Sequence, residues 1–152
     1  VQVETLKEVL IWTQKFHRHL SQCLAHCANE NENERARLLL RYLAEHEERL
    51  ESLIDEIQQT ASASALNTWC QEYVDKKPIT AHLECQQPFS ESNTGEISDV
   101  IFKLHNELTE LYRFLYAQAG APSALKLLKQ LIELEEHEAM QMAQGTNQLE
   151  DL

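Results

Sequence analysis

The chain has 152 residues, 43 % of them hydrophobic, with 25 acidic and 13 basic side chains and a formal net charge of −12. That length suits one domain over residues 1–152, and the charge repels nucleic-acid backbones and anionic membrane surfaces, so neither is an expected partner. Three glycines and three prolines leave room for long helices and supply too few turns for a β-rich fold.

The spacing predicts a first helix over about 4–28, where Leu6, Leu10, Thr13, His17, Leu20, Leu24 and Cys27 recur three and four apart. Trp12 falls outside that stripe and is expected at an exposed intersubunit contact or packed beneath the later crossover. Asn31 with Glu34 has capping-box spacing for a second helix over about 32–59. Its apolar stripe is Ala36, Leu39, Leu43, His46, Leu50, Leu53 and Ile57, which places His46 among leucines.

Residues 60–95 read as a long crossover with a short helix at about 65–75, after which Lys76, Lys77 and Pro78 turn the chain. A connection of that length fits a bundle whose second and third long helices run parallel. Asn93 with Glu96 caps a third long helix over about 96–119, carrying Ile97, Ile101, Leu104, Leu108, Leu111 and Leu115. Pro122 suits the opening turn of a fourth, over about 123–148, where Leu127, Leu131 and Leu134 begin the stripe. The expected fold is therefore an all-α four-helix bundle with a long crossover.

Cys23, Cys27, Cys70 and Cys85 form no paired-cysteine metal motif, and a core of this size needs no disulfides, so small buried thiols are expected. No apolar run reaches membrane length and no amino-terminal secretory pattern is present, which gives a cytoplasmic expectation.

The two helical hairpins match at an offset of 91 residues: Leu43, Glu45, His46 and Glu47 fall on Leu134, Glu136, His137 and Glu138. In each hairpin a pair of histidines, His17 with His46 and His105 with His137, stands roughly 20–24 Å from its own turn at about 1.5 Å per residue. Imidazoles gathered at mid-depth suit a transition metal. His46, His105 and His137 are the expected primary ligands, His17 and Glu138 the next, with Glu47, Glu107 or Gln14 in support. The competing reading is a set of core histidines satisfied by carboxylates, Gln14, Tyr112 or buried water.

On these histidines and four helices the chain resembles the ferritin-like family, especially its rubrerythrin-like branch. The resemblance implies two iron or manganese ions held by one glutamate on each of the first and third helices and a Glu-x-x-His motif on each of the second and fourth. It also implies chemistry such as oxygen or peroxide reduction and iron oxidation. His137 matches the fourth-helix histidine, with Leu134 where the glutamate belongs, and His46 with Leu43 repeat that pairing on the second. His105, seven residues before Tyr112, stands at the third-helix glutamate position, and Gln14 at that of the first. In that alignment the bridging carboxylates are absent.

The expected function is a metal-binding ferritin-like protein with a histidine-rich site for iron, manganese or zinc, concerned with redox chemistry or metal handling. The alternative is a non-enzymatic structural or adaptor bundle that holds no ion. No catalytic residue is identifiable, and a homo-oligomer, with a dimer as the commonest symmetric state, is expected.

Overall fold

The computed structural model describes residues 4–70 and 88–151, and among these the chain is almost wholly helical. Among the described residues there are four long helices, α1 (Leu6–Glu30), α2 (Glu34–Thr60), α4 (Thr94–Gln118) and α5 (Pro122–Glu150), and one short helix, α3 (Ala63–Leu66), after α2. Of the expected helix at about 65–75, residues 71–75 lie outside the described residues, and over 65–70 the helix ends at Leu66, short of the expected length. What is described there is the one turn of α3, capped by the Ser62 side chain, which accepts from the Ala65 N–H. Just beyond α3 the backbone returns to the start of α1. Leu6 N donates to Thr68 O and Cys70 N to Glu4 O, each at 2.9 Å.

The helix ends follow local chemistry. Thr5 caps α1 and Asn33 caps α2, their side chains accepting from Glu8 N and Ala36 N. The expected box of Asn31 with Glu34 does not form, because buried Asn31 is committed elsewhere. Its amide donates to Phe89 O at 2.9 Å and Ser92 O at 3.0 Å, tying the turn between α1 and α2 to the segment that leads into α4. Asn93 and Glu96 do form a full capping box at the start of α4, and Pro122 occupies the first turn of α5.

Each long helix buries one face. Leu10, Leu24, Leu39, Leu43, Ile97, Ile101 and Leu131 are all fully buried in one continuous apolar cluster. Full burial of one such side chain stabilises by roughly 1.5–3 kcal/mol before entropy is charged against it. Helix α1 packs along α2 and α4 along α5, while α2 also meets α4 and α5 and so joins the two hairpins. Trp12 is buried, which rules out the exposed position of the two expected for it, and its ring stacks on Phe16 with centroids 5.7 Å apart.

Among the described residues, no helix is long and apolar enough to cross a membrane. Cys27 and Cys70 are free buried thiols. Cys23 is disulfide-bonded, which corrects the expectation that the cysteines are all small buried thiols.

Candidate metal centre

Helical phase brings His17, Glu47, His105 and Glu135, one from each long helix, together inside the core. On α2, Glu47 lies four residues after Leu43 and three before Leu50, so it continues the buried stripe while His46 turns to the edge. On α5, Glu135 lies four residues after Leu131 and continues that stripe in the same way. On α1, His17 follows Thr13 and Phe16, and on α4, His105 follows Ile101, each on the inner face.

These four side chains close a ring. His17 Nδ1 lies 2.5 Å from Glu47 Oε2 and His17 Nε2 lies 2.8 Å from Glu135 Oε1. His105 Nδ1 lies 3.0 Å from Glu135 Oε2, and His105 Nε2 contacts Glu47 Oε1. Every imidazole nitrogen therefore faces a carboxylate oxygen, and each carboxylate joins both histidines. The two imidazole ring centroids lie 5.5 Å apart with the planes inclined by 29°. None of the four side chains is more than 2 % exposed.

Burial disfavours the charged form of each group, and here the partners outweigh it. Charge and hydrogen bonding from Glu135 and Glu47 raise His17 from 6.5 to about 9 and His105 to about 10. The same two histidines hold Glu47 and Glu135 down from 4.5 to about 2. At neutral pH the ring is thus two imidazolium and two carboxylate groups, with no net charge and every donor matched. Such a ring contributes little net stability, because desolvation offsets most of its attraction, yet losing one member leaves a bare buried charge.

The donor set fits a transition metal. Imidazole and carboxylate together suit zinc, iron or manganese. One ligand atom from each of His17, Glu47 and His105 lies within 4.8 Å of the others. An ion bound at about 2.0–2.2 Å holds its neighbouring donors about 3 Å apart, close to the nitrogen–oxygen separations already present.

The five ligands expected from the sequence are distributed over three places. His17 and His105 meet in the ring. His46 and Glu138 pair with each other beside it, His46 Nδ1 lying 2.9 Å from Glu138 Oε2. The other Glu138 oxygen is 3.2 Å from Arg49 Nε, an ion pair without hydrogen-bond alignment. His137 is exposed and contacts Gln141 at 3.1 Å. Of the supporting candidates, Glu47 enters the ring, while Gln14 donates to Asp55 at 3.3 Å and Glu107 is half-buried on α4.

Glu135 is the member that the sequence reading missed, and a repeat of different register reveals it. His17 and His105 stand 88 residues apart, as do Glu47 and Glu135, and within each hairpin the glutamate follows its histidine by 30 residues. At that spacing buried Leu39, Leu40 and Leu43 fall on buried Leu127, Leu128 and Leu131. The offset of 91 instead sets half-buried His46 on exposed His137. No protein-family model, curated protein or solved structure matches this chain.

Proposed function

We propose that this chain is a metal-binding protein of ferritin-like architecture whose ion is held among His17, Glu47, His105 and Glu135. The observation that carries this reading is the convergence of two imidazoles and two carboxylates, one from each of four long helices, at a fully buried point. Buried charge is costly unless paired or committed to a metal, and a site assembled from all four helices uses the whole fold to hold it.

The resemblance noted from the sequence gains support from this register. Glu47 and Glu135 stand on the second and fourth long helices, where the ferritin-like family carries its Glu-x-x-His motif. Leu50 and Glu138 follow three residues later, at the place of the motif's histidine, and His17 and His105 stand on the helices that otherwise carry lone glutamates. A bound iron or manganese ion would supply a redox centre, and zinc a Lewis acid. The four side chains would ligate and orient it, and the surrounding leucines would limit access of water.

A second reading rests on the completeness of the ring. All four nitrogens already face carboxylates, so a metal-free structural or adaptor bundle could keep the ring to fix helix register. Elemental analysis of protein purified without added metal separates the two. Near-stoichiometric iron, manganese or zinc supports the metal reading, and a metal-free protein that stays empty when offered these ions supports the structural one.

A further inference from the structure

The ring resembles a symmetric dinuclear site, but its two carboxylates are not equivalent. We infer that it takes a single divalent ion on the Glu47 side, bound by His17 Nδ1, His105 Nε2 and the Glu47 carboxylate, and that Glu135 is a positioning residue which holds both imidazoles. This inference rests on the metal-binding reading and specifies its geometry.

Two observations carry it. Among the described residues the one group whose ligand atoms all lie within 4.8 Å of one another is His17, Glu47 and His105, and Glu135 is not part of it. Glu135 stands 2.8 Å from His17 Nε2 and 3.0 Å from His105 Nδ1, ordinary lengths for hydrogen bonds that a carboxylate accepts from two imidazole N–H groups.

Imidazole chemistry then fixes the division of labour. A histidine ligates through an unprotonated nitrogen and carries its hydrogen on the other. With the ion on His17 Nδ1 and His105 Nε2, the N–H groups are on His17 Nε2 and His105 Nδ1, and both of these face Glu135. One carboxylate thereby sets the tautomer and ring orientation of both ligands, the usual task of an outer partner to a metal-bound histidine.

Charge balance favours one ion over two. Two carboxylates neutralise one divalent ion when both imidazoles are neutral. A second divalent ion would leave two uncompensated positive charges in a site where no side chain exceeds 2 % exposure. The other fully buried carboxylate among the described residues, Glu138, is already held by His46 and Arg49.

Cobalt(II) is the probe. The metal-free full chain, titrated with Co2+ and read by visible absorption and bound metal, is expected to take one ion per chain. Glu135→Gln keeps an acceptor oxygen and is expected to bind one ion still, about 10–100-fold more weakly and with shifted cobalt bands, while Glu47→Gln loses the bands. Because Glu47→Gln can fail to fold, the deciding measurement uses the unaltered chain: anomalous diffraction of the cobalt-loaded protein. A single peak bonded to His17 Nδ1, His105 Nε2 and Glu47 supports the assignment. Two ions per chain, or a peak on Glu135, His17 Nε2 and His105 Nδ1, overturns it while leaving metal binding intact. No bound Co2+ at all overturns both.

Discussion

Glu47 faces His17 with one carboxylate oxygen and His105 with the other, so a single buried side chain on α2 binds its own hairpin to the opposite one. Without an ion, removing it leaves two imidazolium groups sharing one counter-charge. Glu47→Ala is expected to cost about 3–5 kcal/mol in the metal-free protein, the usual result of stripping one partner from a buried ionic cluster. Replacing all four ring residues together by leucine is expected to cost far less, because no bare charge remains. Urea unfolding of both variants checks this, and equal losses would show that the ring's charges are not what the single variant exposes.

The ring also sets a pH window for the metal-free protein. The histidines, raised from 6.5 to about 9 and 10, contribute stability that is complete below about pH 6.5 and is lost as pH rises toward 9–10. The glutamates, lowered from 4.5 to about 2, contribute stability that is complete above about pH 4.5 and is lost as pH falls toward 2. Thermal melting is therefore expected to peak between about pH 4.5 and 6.5 and to decline on both sides. A midpoint that climbs steadily from pH 6.5 to 9 would contradict the charged ring.

Asn31 tests how the start of α4 is held. It is 4 % exposed and its amide donates to two backbone carbonyls, those of Phe89 and Ser92. Asn31→Ala is expected to destabilise by about 1–3 kcal/mol, because the carbonyls lose their donor where water has poor access. Chemical denaturation reads the loss, and hydrogen exchange is expected to speed up first near Phe89 to Asn93.

Gly145 sets two effects against each other. An exposed helical glycine gains about 1 kcal/mol on becoming alanine, but here a Cβ would come within 2.1 Å of the Tyr42 ring. Tyr42 donates to Gln141 O at 2.8 Å and packs edge-on against His46, so moving it breaks two contacts. Gly145→Ala is expected to be net destabilising by about 1–2 kcal/mol, and a stabilised variant would show that Tyr42 relocates freely.

Much of the fold was legible because amphipathic helices advertise themselves. Leu10, Leu24, Leu39 and Leu43 have the three-and-four spacing, and the Asn93 box and Pro122 mark starts that the structure keeps. The site was read less well for a physical reason. Charged residues are assigned to the solvent face by default, so Glu135, in a run with Glu136, was passed over although it continues the Leu127, Leu128 and Leu131 stripe. His46 and Glu47 are neighbours, and a shift of one residue turns a helix by about 100°, which sends His46 to the edge and Glu47 to the centre. Weighing burial phase before residue identity would have favoured the 88-residue register, in which both histidines and both glutamates align.

The most direct test of the central claim compares metal content across two double variants purified beside the unaltered chain. His17→Gln with His105→Gln is expected to abolish near-stoichiometric iron, manganese or zinc, while His46→Gln with His137→Gln is expected to retain it, circular dichroism confirming that both stay helical. An unaltered chain that holds no metal even when offered it, or loss of metal on changing His46 and His137 alone, would contradict the account.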